Sequence, residues 1–224
     1  MSNTVYGSAH GKINLHLSVT GKRPDGYHSI VSLFQQVSLH DEISVRSLKD
    51  DMVIIVGNET VSPENDLMNK AALLMKMEYG ISSGVEIRIN KRIPSGAGLG
   101  GGSSDAACVL RALDMLWEPG SQSSTLSSLA GQLGSDVPFF INSAAALVSG
   151  RGERIESVEA RDDYIVLLVN PGFPVSTAEA YRWIDAECGY ETEGWKIDFR
   201  EIKRRYHGFA PETWDFTNSF AEPL

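Results

Sequence analysis

Residues 94–107 read PSGAGLGGGSSDAA, with five glycines between Gly96 and Gly102. The segment before them, VEIRINKRI (85–93), alternates Val85, Ile87 and Ile89 with Glu86, Arg88 and Asn90, the period of a half-buried strand. The segment after them, from Ser104 to Leu116, is rich in alanine and leucine and predicts a well-packed helix ended by Pro119 and Gly120. Strand, glycine turn and helix in that order aim unpaired backbone N–H groups at an anion. The first helical turn leaves its amides without intrahelical partners, the peptide dipoles favour negative charge there, and glycine lets a phosphate approach the backbone closely. A phosphate-binding turn is the physical reading; a flexible loop, or a close helix–strand crossing that demands glycine, is the alternative. Ser103 and Ser104 could add hydroxyls to the same anion, and Ser104 could instead cap the helix. The turn lacks the G-K-[ST] ending of a Walker loop. Gly96, Gly98 and Gly101 do satisfy G-x-G-x-x-G, but no acidic residue stands at a suitable strand end, so a nucleotide-binding helix start is supported and a dinucleotide fold only weakly.

Working outward, residues 11–19 and the run SIVSLFQQVSLHDEISV (29–45) both alternate and flank a turn built on Pro24, Asp25 and Gly26, so they predict neighbouring or antiparallel strands. Asp50 and Asp51 mark the next turn, before the strand-like MVIIV (52–56). Leu67, Ala71, Leu74 and Met75 are spaced for a helix over 65–79, which Gly80 and Gly84 close. A short helix is expected over 124–133, then a turn at GSDVPFF (134–140), then a glycine-containing hairpin in AAALVSGRGERI (144–155). DYIVLLVN (163–170) reads as a strongly β-forming strand closed by Pro171 and Gly172, and 176–184 as a helix capped by Ser176 or Thr177. The last residues show no terminal element, and no internal repeat is visible.

The chain has 224 residues, 42% hydrophobic and 22% charged, which is the composition of a soluble globular protein. Its formal net charge is −9, so extended binding to a nucleic-acid backbone would work against its field, whereas a small phosphorylated ligand needs only a local set of amides and a lysine. Cys108 and Cys188 form no C-x-x-C pair, which argues against a disulfide framework or structural zinc and for a reducing cytoplasm. No apolar run reaches bilayer length and the first residues do not read as a signal peptide, so neither membrane nor secretion is expected.

Four polar positions invite chemistry. Lys12 lies on an alternating strand beside Gly11, where a lysine ordinarily snorkels to solvent but can also point into a cleft. Asp136, between Gly134 and Pro138 and before two phenylalanines, could be held as a base or could cap the following turn. Tyr27 and His28, side by side after Asp25 and Gly26, could stack on a ring and bond its edge, or face solvent. His10, His16, His40 and His207 show no metal-ligand spacing, and no G-x-S-x-G elbow supports a serine hydrolase. Trp183, Trp195 and Trp214 do not interleave with a basic patch and are expected to anchor a core.

Four segments occur together and in order: GKINLHLSVTGKRPDGYHSI (11–30), GLGGGSSDAA (98–107), LGSDVPFF (133–140) with AAALVSGRGERI (144–155), and NPGFPVSTAEAY (170–181). In them the chain resembles the 4-diphosphocytidyl-2-C-methyl-D-erythritol kinase family, within the superfamily that also holds galactokinase, homoserine kinase and mevalonate kinase. The glycine turn resembles the superfamily's ATP-phosphate loop, and the DGYH turn, by the same resemblance, separates this family from its relatives. The resemblance, which runs from residue 9 to about residue 181, implies an α+β fold of the two-domain small-molecule kinase type. Its N-terminal domain, over 1–155, would be ribosomal protein S5 domain 2-like, and a ferredoxin-like C-terminal domain would begin at 156. The family continues to a third glycine motif that nothing after Thr217 supplies. The second domain is therefore expected to be incomplete, and a chain ending at Leu224 to bind its ligands weakly or to be inactive.

By the same resemblance the reaction is ATP-dependent phosphorylation of the 2-hydroxyl of a cytidyl diphosphate substrate, in the non-mevalonate route to isoprenoid precursors. Lys12 and Asp136 would be the catalytic pair. Asn14, Tyr27, His28, Thr177 and Tyr181 would bind the substrate, the two tyrosines bracketing its cytosine. Pro94, Gly96, Gly98, Leu99, Gly100, Gly101, Gly102, Ser103 and Ser104 would wrap the phosphates of ATP, with Asp66, Leu67 and Lys91 on the adenosine side. Mg²⁺ would be held mainly by those phosphates, its protein ligands being unassigned, and the protein would be a cytoplasmic monomer or weak homodimer. Two other readings stand beside this one: a kinase of the same superfamily acting on another alcohol, and a non-catalytic nucleotide-binding protein.

Overall fold

A computed structural model describes residues 4–118, 122–172, 176–188 and 199–221. The chain divides into two compact units. The first comprises 1–11, 37–95 and 99–142, and the second 12–36, 96–98 and 143–224. Two long strands, β1 (Thr4–Lys22) and β2 (His28–Leu48), each contribute to both units.

In the first unit, β3 (Val53–Val56) pairs in parallel with β4 (Gly84–Asn90), and β4 pairs antiparallel with Glu42–Leu48 of β2. Val85, Ile87 and Ile89 face the core, as their alternation requires. The helical layer begins with α1 (Leu67–Tyr79). Asp66 caps it by accepting from the amides of Met68 and Asn69, and Gly80 ends it with φ of 62°. Its buried stripe, Met68, Ala71, Ala72 and Met75, follows the helical period. α2 (Gly101–Trp117) is buried on most of its circumference and packs against α1, α3 (Ser123–Leu133) and α4 (Val137–Asn142). Alanines at 106, 107 and 112 are what let three helices approach it.

α2 starts three residues earlier than propensity indicates, inside the glycines, because tertiary packing overrides their poor helix propensity. Pro119 and Gly120, expected to end it, lie outside the described residues. The expected turn at 134–140 is corrected: Val137, Phe139 and Phe140 drop into the core from the short helix α4, since Pro138 is tolerated in a first helical turn.

The second unit pairs Ile30–Gln35 of β2 with β5 (Ala145–Gly150), and β5 with β6 (Arg154–Val158) through the expected glycine hairpin. Its core gathers Leu33, Ala145 and Leu147 under Ile202 and Tyr206 of α6 (Phe199–Gly208), with Trp214 and Phe216 packed alongside. Trp214 is thus an anchor as expected; Trp183 is instead exposed, and Trp195 lies outside the described residues. α5 (Thr177–Trp183) is capped by Ser176 and continues as one π-helical turn, Ile184–Cys188. Near the C-terminus the amide of Leu17 donates to the carbonyl of Thr217 and that of Ser219 to the carbonyl of Leu17, so Asn218 bridges β1 in parallel. Behind this contact His16 is fully buried. Its Nδ1 accepts from the amide of Thr217, which leaves Nε2–H to donate to Ser18 Oγ, and burial, aided by Arg205, lowers its pKa to about 4.

The strand expected at 163–170 is a second correction. Tyr164 is anchored, its hydroxyl donating to Gln35 Oε1, but Ile165 to Asn170 carry no regular structure. Among the described residues their amides and carbonyls pair with no other backbone, and Ile165, Leu167 and Val169 are 97%, 85% and 80% exposed. β propensity expresses fit to neighbouring strands, and here no described strand lies beside the segment.

Candidate active site

β4 hands the chain to the glycine turn through Lys91, Arg92 and Ile93, and buried carboxylates fix that exit. Asp41, fully buried on β2, accepts from the amides of Arg92 and Ile93 through Oδ1 and from Lys91 Nζ through Oδ2 at 2.6 Å. Lys91 also donates to Asp105 Oδ2 of α2 at 2.7 Å. Burial alone would raise the Asp41 pKa, but the Lys91 ammonium and the two amides outweigh it and hold the group below its ordinary value. Asp105 goes the other way. Two carboxylates share one ammonium, Asp105 Oδ1 is buried with no hydrogen-bond partner among the described residues, and burial pushes this carboxyl up to about 7. Lys91 itself is raised, since Asp105 and Asp41 outweigh the burial that would lower it.

A carboxyl whose folded pKa lies above its unfolded value near 3.8 supports folding fully below that value and loses the contribution as pH rises through about 7. Asp105→Asn is therefore expected to gain urea resistance relative to the parent chain between pH 5 and pH 8. Denaturation midpoints that stay parallel across that range would refute the assignment of the excess charge to Asp105.

The glycines divide by task. Gly96, Gly98 and Gly100 have φ of 70°, 73° and 68°, the left-handed region that L side chains avoid. Gly101 instead serves a close approach, because a Cβ there would meet Ile93 Cγ2 at 3.0 Å. Alternating left-handed residues turn successive N–H groups toward one side. Among the described residues, no amide from Gly96 through Ser103 donates to another residue, and the first to do so is Ser104, to the carbonyl of Gly100. Ser104 is buried and Ser103 half-buried. Positive φ and close packing thus fall on different glycines of the stretch.

Elsewhere in the first unit Asp66 is occupied as the α1 cap and also accepts from Asn58 Nδ2 at 2.7 Å. Asp136 is half-buried immediately before α4. The second unit joins Lys12 to Asn14, with Nζ donating to Asn14 Oδ1 at 2.7 Å and lying 4.8 Å from the centroid of the Phe34 ring. Lys12 is only 7% exposed, so it does not snorkel to solvent. His28 stacks on Tyr181, ring centroids 4.5 Å apart and planes 12° from parallel, and Phe220 meets Tyr181 edge-on at 5.1 Å. Tyr27 is exposed, with Arg151 5.0 Å from its ring, and Thr177 opens α5 at the surface.

Sequence reasoning passed over Asp41, Asp105 and Asp185. Asp41 and Asp105 carried a signal, an acid inside an apolar strand and an acid among alanines; Asp185 carried none, since only the fold brings it to His28 Nε2 at 2.7 Å.

Residues 66–144 match the family described as GHMP kinases N terminal domain. The chain is 40% identical over 190 residues to 4-diphosphocytidyl-2-C-methyl-D-erythritol kinase of Thermodesulfovibrio yellowstonii, covering 85% of the chain and 66% of that protein. It is 44% identical over 176 residues to the enzyme of the same name from Pelotomaculum thermopropionicum, covering 78% of the chain and 61% of that protein. The chain thus spans about two thirds of the length of the curated relatives it matches. A crystal structure of 4-(cytidine 5'-diphospho)-2C-methyl-D-erythritol kinase superposes with a TM-score of 0.77 at 34% identity, over 98% of this chain and 76% of that one. Homoserine kinase from Cytophaga hutchinsonii shares the fold, with a TM-score of 0.60 at 16% identity over 81% of this chain and 60% of that one.

Proposed function

The chain belongs to the 4-diphosphocytidyl-2-C-methyl-D-erythritol kinase family, and from that premise we propose that it transfers the γ-phosphoryl group of ATP to the 2-hydroxyl of 4-diphosphocytidyl-2-C-methyl-D-erythritol. The observation that carries the ATP half of this reading is the run of amides from Gly96 through Ser103, unengaged among the described residues, at the start of a long buried helix. Such a run meets phosphate oxygens with donors already oriented, so little reorganisation is needed as charge shifts during transfer. Pro94 and Leu99 shape that turn, and Lys91 supports it from just beyond the end of β4.

Asp136 orients the substrate hydroxyl and takes its proton as the phosphoryl group arrives. Lys12, steadied by Asn14, offsets negative charge on the transferring group. Among the described residues no group of three or more His, Cys, Asp or Glu could hold a metal. Mg²⁺ would enter as a companion of ATP, bound mainly to the phosphates, where it would neutralise their charge. Asp66 sits on the adenosine side as the residue that sets the start of α1. Tyr27, His28 and Tyr181 receive the pyrimidine, and Thr177 and Asn14 the methylerythritol diphosphate.

A panel of alcohols with ATP and Mg²⁺ tests the reading. Turnover is expected with the cytidyl substrate and not with homoserine or mevalonate; the reverse would move the chain to another alcohol of the superfamily. Base–aromatic stacking is worth about 1–3 kcal/mol. Tyr181→Ala is accordingly expected to raise KM for the cytidyl substrate by about 10- to 100-fold and to leave KM for ATP in place.

A further inference from the structure

α5 does not end at Trp183 but widens into the π turn Ile184–Cys188, a geometry that recurs at functional positions. Asp185 lies on this turn, four residues after Tyr181 and hence on the same side of the helix. Its two oxygens are divided. Oδ2 accepts from Lys22 Nζ at 2.6 Å, and Oδ1 meets His28 Nε2 at 2.7 Å. The Lys22 side chain is 48% exposed, so that bridge contributes little by itself, whereas the His28 side chain is 7% exposed. The imidazole is therefore fixed twice, by the ring of Tyr181 on its face and by the carboxylate at its edge.

An ionised carboxylate only accepts hydrogen bonds, so the proton of this contact belongs to His28 Nε2. In the neutral ring the lone pair then stands on Nδ1. A ring acceptor complements the exocyclic amino group on C4 of cytosine and opposes the carbonyl that uracil carries at the same position. We propose that Asp185 is a positioning residue that fixes the Nε2–H tautomer of His28 and so makes the pyrimidine site select cytosine over uracil. The inference rests on the reading that His28 and Tyr181 receive the pyrimidine. Without Asp185 the imidazole can turn over or exchange tautomers, and a donor at Nδ1 would accept uracil as readily.

The test uses the chain with Asp185→Ala and Asp185→Leu, neither of which offers Nε2–H an acceptor. Long-range ¹H–¹⁵N correlation spectra read the His28 tautomer, and calorimetry reads the affinities for cytidine and uridine 5'-diphosphate. The parent chain is expected to show protonated Nε2 and to prefer the cytidine compound. In Asp185→Ala that preference should fall about tenfold, the effect of one lost hydrogen-bond match, with affinity for a non-hydrolysable ATP analogue unchanged. Asp185→Leu fills a similar volume with no acceptor for Nε2–H and reports the same loss should the alanine variant fold poorly. A parent chain with protonated Nδ1 and bare Nε2, or variants that keep the full preference, would overturn the proposal. Both measurements are independent of turnover, so a chain that transfers no phosphoryl group would refute the kinase reading while the spectra and affinities still decide the role of Asp185.

Discussion

Lys12→Met and Asp136→Asn are each expected to lower kcat by about 10²- to 10⁴-fold while the chain stays folded, the range set by loss of a positioned charge or proton acceptor. For Lys12 the structure makes the test discriminating. Its ammonium is almost wholly buried, held by the Asn14 amide and the Phe34 ring. If that charge only filled space, methionine would replace the stem at similar volume without the desolvation cost, and stability would hold or rise with activity intact. Unchanged urea midpoints together with collapsed turnover identify a charge kept for chemistry; unchanged turnover would remove Lys12 from the reaction. Asp136→Asn keeps the half-buried position before α4 and removes only the basic oxygen. Full activity in that variant would leave the alcohol without the proposed base.

Asp41→Ala is expected to cost about 3–5 kcal/mol of folding stability, the range for stripping a buried charge of its partner. The loss has three parts: Lys91 is left with Asp105 alone, and the amides of Arg92 and Ile93 lose their acceptor. Because Asp41 is held below its ordinary pKa, its contribution is present above the unfolded value near 3.8 and disappears as pH falls through the folded one. The difference in urea midpoint between parent and variant should therefore be full at neutral pH and shrink in strong acid. A difference below 1 kcal/mol at pH 7 would contradict the geometry.

Much of the layout was legible because short-range rules governed it. The helical spacing of Leu67, Ala71, Leu74 and Met75, the stop at Gly80 and the alternation of Val85, Ile87 and Ile89 each follow from local chemistry that packing did not override; the cap at Asp66 was not read from the sequence. The same rules failed where the deciding partner is distant. Residues 165–170 read as a strand because their side chains want one, yet a strand also needs a neighbour. At 137–142 Pro138 suggested a turn, although the burial of Phe139 and Phe140 draws those residues into a helix. For the site, glycine spacing announced the amide run, but the choice between positive φ and close contact needed the coordinates. Nothing in the order of residues joins Asp185 to His28 or Asp41 to the end of β4, because each pairing is closed by the fold across many intervening residues.

The bridge between Leu17 and the stretch around Asn218 bears on how the polypeptide is born. A ribosome releases His16 ahead of Thr217 by 201 residues, and the amide of Thr217 is the donor its ring accepts from. Until then His16 lacks the amide of Thr217 that its buried ring engages, and the flank of its strand stays bare. The helical unit has all its residues by position 142, whereas its companion also draws on residues 143–224. Co-translational folding is thus forced into a sequence, with the later unit open to chaperones for the longer time.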